Sequence, residues 1–284
     1  MSSLVLKLIA VITMLIDHTA ASCFRSWGLM YAPVPFLNGI SWYWLCRMIG
    51  RVAFPLYCFM IAEGVHHTRN WKKYAGRLLI LALVSEFPFD FGLHGLSVNL
   101  GKPNVIGQII SGADWRHQNV FFTLFLGMLC VQTAKSTQQL LTRLYVQKRL
   151  NGVSYVGACL FRYLLWAGMT FALGWLAKHV LHTDYGMGGV VMISMMGLIY
   201  EYWEDAAVWL PSWLIRTAVS GFALWACCVI LGSSLEYYGM LALIPIALYN
   251  GKKGYSGKPV QIGFYLFYPV HLMALGFLFR LTAG

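Results

Sequence analysis

Two ionisable residues sit side by side in an otherwise hydrophobic stretch. They are Asp17 and His18, within L-V-L-K-L-I-A-V-I-T-M-L-I-D-H-T-A-A-S at 4–22. Ionisable groups inside a membrane span are costly and read by default as functional. Neighbours on a helix point about 100° apart, so the two cannot serve each other and each needs a partner on another element. An imidazole whose second nitrogen is held by a carboxylate is a ready general base. Glu86, Asp90 and Asp184 are the acids offered for that role. Asp17 calls for a cation, and Arg47 or Arg51 can supply it. These two arginines lie four apart and share a helix face. Their own anions are Asp17, Glu86 and Asp90, or else a ligand phosphate or carboxylate. A purely structural reading, with a buried salt bridge and a satisfied core histidine, accounts for the same residues.

Further groups follow along the chain. The run H-H-T-R-N-W-K-K-Y-A-G-R at 66–77 is dense in cations. It suits a nucleotide or phosphorylated cofactor, and it equally suits an ordinary basic loop beside a membrane. His271 follows Pro269 in F-Y-L-F-Y-P-V-H-L at 264–272. Proline frees backbone groups in a helix, so His271 either lines a cavity or is a buried structural histidine. Asn119 opens an apolar stretch, and Asp184-Tyr185 fall in a loop. The chain has no G-x-x-x-x-G-K-[ST], no H-E-x-x-H and no G-x-S-x-G. No metal site is expected.

The elements that position these residues are membrane spans. Of 284 residues, 59% are hydrophobic and 11% charged, against about 25% charged in a soluble domain. The composition predicts an all-α, polytopic integral membrane bundle of about nine helices, with eight to ten as the range, in a single domain over 1–284. The spans are expected near 4–22, 41–63, 74–92, 119–134, 157–179, 186–203, 208–231, 234–249 and 260–281. The short fourth and eighth allow tilt or partial insertion. Seven cysteines, none in C-x-x-C, read as small buried hydrophobes. Ala20-Ala21-Ser22-Cys23 resembles a lipoprotein cleavage site, but Lys7 and Asp17-His18 point to a retained first span.

Lys plus Arg number 21 against 10 acids. In a membrane protein such an excess belongs to cytoplasmic loops beside anionic lipid, not to nucleic-acid binding. Arg69, Lys72, Lys73 and Arg77 follow the second span. Lys135, Arg143, Lys148 and Arg149 follow the fourth, and Lys252, Lys253 and Lys258 the eighth. With nine spans these loops share one side, so the N-terminus is expected inside and the C-terminus outside. The acidic loop Glu201–Asp205 then also falls inside, against the trend. Asp17 and His18 lie about 20 Å along their helix from its cytoplasmic start, in the outer half.

The assembled residues resemble one family closely. L-K-L-I-A-V-I-T-M-L-I-D-H at 6–18 is similar to the opening of the TraX family of membrane proteins. The likeness continues in G-R-V-A-F-P-L-Y-C-F-M-I-A-E-G at 50–64, then His67-Thr68 and Arg77-Leu78. It runs on through S-E-F-P-F-D at 85–90, N-V-F-F-T-L-F-L-G at 119–127, Asp184-Tyr185-Gly186 with Gly188-Gly189, and the stretch at 264–272. The segments 92–118 and 135–156 carry no part of the pattern. The resemblance implies an acetyl-CoA-dependent transferase acting on the N-terminal amine of a conjugative pilin, in the bacterial inner membrane. It also suggests kinship with integral-membrane acyltransferases that O-acetylate sugars.

With that activity, placement along the spans suggests roles. His18 is the base or a covalent acetyl carrier, oriented by Asp90 or Asp184. Asp17 pairs with an arginine, and Arg47 or Arg51 stabilises the oxyanion. Arg47, His67, Arg69, Lys72, Lys73 and Arg77 attract acetyl-CoA, and Glu86, Asn119, Tyr185 and His271 face the acceptor. The competing readings are a membrane O-acyltransferase for a sugar or envelope glycan, and a non-catalytic transporter or pilus-assembly protein. Buried acids, histidines and arginines also build proton relays, but the chain shows no internal repeat of the transporter kind.

Overall fold

The computed structural model describes residues 1–93, 116–147, 149, 152–200 and 210–283. The loop Glu201–Asp205, Lys148 and most of 92–118 lie outside the described residues. Among the described residues the regular elements are all helices, joined by turns and loops, with one isolated bridge between Pro33 and Ser41. The helices are α1 (Ser3–Cys23), α2 (Trp42–Gly50), α3 (Ala53–His67), α4 (Trp71–Leu93), α5 (Val120–Val146), α6 (Gly152–His179) and α7 (Gly186–Gly197). There follow α8 (Ser212–Leu231), a 3₁₀ segment (Ser234–Ala242) that runs into α9 (Leu243–Ala247), and α10 (Lys258–Ala283).

A helix therefore stands at each position where the sequence predicts a span. Six of these elements are long and apolar enough to cross a membrane: α1, Trp42–His67 taken together, α5, α6, α8 and α10. The α7 helix and Ser234–Ala247 are apolar but shorter. The α4 helix holds Lys72, Lys73, Arg77, Glu86 and Asp90 among its 23 residues, and this charge keeps it out of the first set.

The second expected span is broken at Arg51 and Val52. Pro55 explains the place of the break. It has no N–H for the carbonyl four residues back, which belongs to Arg51, and its ring crowds that carbonyl. Within the first turn of α3 the same proline is harmless. Arg51 thus becomes the C-cap of α2, its amide still bonded to the carbonyl of Arg47.

Two compact units share the chain. The first holds Met1–Leu56, Ile80–Asn119 and Ser233–Gly284. Within it α1 and α10 run in the same direction. The Lys7 amine lies 5.7 Å from the centre of the Phe264 ring, His18 meets His271, and the Ser26 and Thr282 hydroxyls are 3.1 Å apart. The N-terminus is tied to the chain ahead of α10. Its amine donates to the Leu248 carbonyl, and the Ser3 amide donates to Lys252 at 2.9 Å. At the other level Glu236 bonds Arg51, which in turn bonds Asp17. The stretch 236–248 therefore runs back along α1 from the level of Asp17 to that of Met1. Its 3₁₀ and α portions, at about 2.0 and 1.5 Å per residue, give roughly 21 Å. That is within about 3 Å of the roughly 24 Å of α1 between Met1 and Asp17. An α-helix throughout would reach only about 18 Å.

The C-terminal end of α4 closes this unit. The Ser22 hydroxyl donates to the Gly92 carbonyl at 2.9 Å. A Cβ on Gly92 would come within 2.7 Å of the Leu272 carbonyl oxygen, so only glycine allows this approach. The Arg280 guanidinium lies 3.7 Å over the Phe91 ring and donates to the Gly276 carbonyl at 2.6 Å.

The second unit holds Tyr57–Leu79 and Val120–Gly232. Its centre is α7, where Val190, Met192, Ile193 and Met196 are buried. Small residues let the neighbours close on it, as is usual between membrane helices. Gly127 of α5 receives Ile193, Gly174 of α6 receives Met187, and Gly188 of α7 meets Cys227 of α8. Polar pairs cross the same contacts: Thr170 with Ser194, and Thr123 with Thr183, each at 2.8 Å.

Candidate functional site

Asp17 is the hub of the first unit. Its carboxylate accepts from Arg47 Nη1 at 2.7 Å and from Arg51 Nη2 at 2.9 Å on both oxygens. Arg51 Nη1 reaches on to Glu236 Oε1 at 2.8 Å. The helical repeat puts Arg47 and Arg51 on one face of α2, and Pro55 ends the helix just where Arg51 must turn to both acids. Among the described residues these ion pairs set two carboxylates against two guanidiniums, whose charges offset each other in the apolar surroundings. Asp17 was expected to pair with one arginine or the other and in fact holds both.

Gly50 makes this closeness possible. A Cβ there would lie 2.2 Å from Asp17 Cβ and 2.2 Å from Oδ1. The absent side chain lets α2 press its backbone against the carboxylate.

His18 is half-buried and next in sequence to the hub. Its Nδ1 lies 2.8 Å from Nε2 of His271. The ring planes are 3° apart and the centres 5.1 Å apart. Nitrogens at this distance are closer than stacked faces allow. Two ring radii plus the hydrogen bond account for the separation, so the imidazoles lie edge to edge in a common plane. His271 is buried, and its Nδ1 lies 2.8 Å from the Phe267 carbonyl oxygen. Tyr268 stands edge-on to both rings, and Phe267 covers the face of His271. The partner of His18 is therefore an imidazole, not one of the carboxylates the sequence offers. His271, expected to face the acceptor, is bonded to His18.

The other expected residues divide between the units. Glu86, Asp90 and Asn119 are buried in the first. Glu86 Oε2 accepts from the Asn119 backbone amide at 3.2 Å and from its side-chain nitrogen. That nitrogen also donates to the Ala82 carbonyl at 2.8 Å. Glu86 and Asn119 thus bind each other and seat the chain entering α5. Asp184 and Tyr185 belong to the second unit, where the Thr123 hydroxyl donates to the Asp184 carbonyl. Tyr185 takes a left-handed φ of 63° immediately before α7, a conformation rare for an aromatic residue.

His67, Arg69, Lys72, Lys73 and Arg77 also lie in the second unit, and all are exposed. His67 stands 3.8 Å from Glu63. Asn70 starts α4 by accepting from the Lys73 amide at 3.0 Å. Lys135 donates to the Val65 and His66 carbonyls at 2.7 and 3.0 Å, capping the end of α3. Among the described residues no three His, Cys, Asp or Glu side chains are grouped to hold a metal ion.

Sequence reasoning left Glu236 out of the site. The signal was an imbalance: two guanidiniums on one apolar helix face need two anions, and Asp17 is one. Glu236 is the acid that opens the eighth expected span.

The fold and its buried charges define an all-helical membrane protein with an ion-paired cluster and a histidine pair inside one bundle. The chain belongs to the TraX protein family, whose model matches residues 2–279. It is 30% identical, over 96% of its own length and 94% of the relative's, to a probable fimbrial assembly protein, FimC of serogroup H1, from Dichelobacter nodosus. No solved structure matches the chain.

Proposed function

We propose that this protein is an acetyltransferase of the bacterial inner membrane, moving an acetyl group from acetyl-CoA to the N-terminal amine of a pilin subunit. The observation that carries the reading is His18. It is a half-buried imidazole, held in plane by a second imidazole beside an ion-paired cluster whose charge is balanced. An assembly scaffold needs no such arrangement. Family membership and the fimbrial relative support a role in pilus biogenesis.

In the reaction His18 takes a proton from the attacking amine as its nitrogen bonds to the thioester carbonyl carbon. The tetrahedral intermediate collapses, the C–S bond breaks, and the proton returns to the departing thiolate. An α-amine has an ordinary pKa of about 7.7–8.0, so a neutral imidazole suffices as base. Arg47 is better placed than Arg51 to meet the oxyanion. It gives one bond to Asp17 and keeps further N–H groups on a side chain that is 21% exposed, against 10% for Arg51. The exposed Arg69, Lys72, Lys73 and Arg77 draw in the phosphates of the donor.

The same reading sets the protein in the membrane with nine crossings and a cytoplasmic N-terminus. Met1 and the 248–254 loop with Lys252 and Lys253 share one end of the first unit, which supports this orientation. His18 then lies in the outer half, where a processed pilin presents its new N-terminus.

The test is the intact mass of a pilin subunit made with the protein, without it, and with His18→Ala. One added acetyl group on the N-terminal residue, present only with the wild-type protein, is the expected result. Full acetylation by a membrane-inserted His18→Ala variant overturns the assignment.

A further inference from the structure

The hydrogen bonds of the histidine pair fix where its protons lie. The Phe267 carbonyl can only accept, so His271 Nδ1, 2.8 Å away, carries a hydrogen. A neutral imidazole with a protonated Nδ1 has a lone pair at Nε2. That lone pair lies in the ring plane and points at His18 Nδ1, 2.8 Å off in the same plane. His18 Nδ1 must then donate, which leaves the lone pair of His18 on Nε2. Both rings are neutral in this chain of bonds. An added imidazolium would disturb a cluster in which Asp17 and Glu236 already balance Arg47 and Arg51. Among the described residues His18 Nε2 has no hydrogen bond and is not sealed from its surroundings.

We propose that His271 is a positioning residue. With the Phe267 carbonyl behind it, His271 holds His18 in the tautomer protonated at Nδ1, so that Nε2 is the nitrogen that receives the proton. This rests on the reading of His18 as the base. It gives His271 the place that a carboxylate commonly takes behind a catalytic histidine, and a neutral acceptor does the work with no added charge in an apolar bundle. When His18 becomes an imidazolium in the transition state, its Nδ1–H···Nε2 bond becomes charge-assisted and shortens. Phe267 and Tyr268 keep both rings from turning.

Two measurements test this. Nitrogen-15 NMR of histidine-labelled protein in bilayers, with His18 assigned by loss of its signals in His18→Ala, reads the tautomer without any acetylation assay. Protonated Nδ1 and bare Nε2 on His18 is the expected result, and the reverse overturns the proposal. Kinetics then compare His271→Gln with His271→Leu. Glutamine restores an acceptor near the Nε2 position, and leucine has similar bulk but none. The leucine variant is expected to lose kcat by about 100-fold at unchanged KM, with glutamine within about 10-fold of wild type. Equal activity of the two overturns the positioning role. Activity retained in His18→Ala would instead refute His18 as the base, and no acetyl gain with the wild-type protein would refute the acetyltransferase reading; the NMR result would still decide the tautomer. It needs no His271 variant, so a leucine variant that fails to fold leaves the proposal open to refutation.

Discussion

Gly50→Ala is the sharpest perturbation of the hub. In an exposed helix, replacing glycine by alanine gains about 0.5–1 kcal/mol. Here the new Cβ would sit 2.2 Å from Asp17 Cβ and Oδ1 and 2.4 Å from Cγ. Ordinary carbon contacts are about 3.5–4.0 Å, so α2 and Asp17 must separate by roughly 1.5 Å. The Asp17 bonds of 2.7 and 2.9 Å would then stretch beyond about 4 Å, outside hydrogen-bonding range. Losing a buried ion pair costs about 3–5 kcal/mol and overpacking about 1–3, so the helix gain is outweighed several-fold. Gly168→Ala in α6 is the control, because nothing lies within 4 Å of its Cβ position. Thermal unfolding of both variants in detergent, with membrane levels measured alongside, makes the comparison. A marked loss for Gly50→Ala and none for Gly168→Ala is expected. A Gly50→Ala protein as stable as wild type would refute the claim that α2 is pressed against the carboxylate.

Arg51→Met leaves both Asp17 and Glu236 short of a cation and is expected to destabilise by about 3–5 kcal/mol. Arg47→Met removes one charge-assisted bond, about 1.5–3 kcal/mol; unfolding midpoints of the two variants check the order. Replacing Lys72 and Lys73 by glutamine is expected to raise KM for acetyl-CoA about two- to tenfold with kcat nearly unchanged. Added salt should shrink that difference, and steady-state kinetics at two ionic strengths would show it. Thr123→Val removes the hydroxyl that bonds Thr183 and the Asp184 carbonyl in the second unit and is expected to lower stability by about 1–3 kcal/mol. Unfolding against a Thr123→Ser control measures that loss.

Local signals carried well from sequence to structure. Apolar stretches near 4–22, 157–179 and 260–281 became α1, α6 and α10, because a 3.6-residue repeat and a long apolar run are written in consecutive residues. The need of Asp17 for arginine was also legible, since charge inside an apolar helix demands a counter-charge. The partner of His18 was not. It stands 253 residues away, and no local pattern fixes the register of α1 against α10. The break at Arg51 was present in Pro55 and its fourth preceding carbonyl, yet a hydropathy window runs across it. The 3₁₀ form of Ser234–Ala242 at the start of the eighth expected span was not legible either, since a hydropathy pattern does not separate a 3₁₀ from an α rise.

The separation of His18 from His271 has a consequence for how the protein is made. Asp17 waits only 30 residues for Arg47, but Glu236 comes 185 residues after Arg51 and His271 comes 253 after His18. At roughly 5–20 residues per second of synthesis, the first helix resides in the bilayer for tens of seconds before its histidine meets its partner. His18 therefore meets His271 only at the end of translation, and a chain cut short anywhere before α10 carries the first imidazole without the second. The histidine pair is thus a mark of the finished molecule, absent from every shorter stage of its synthesis.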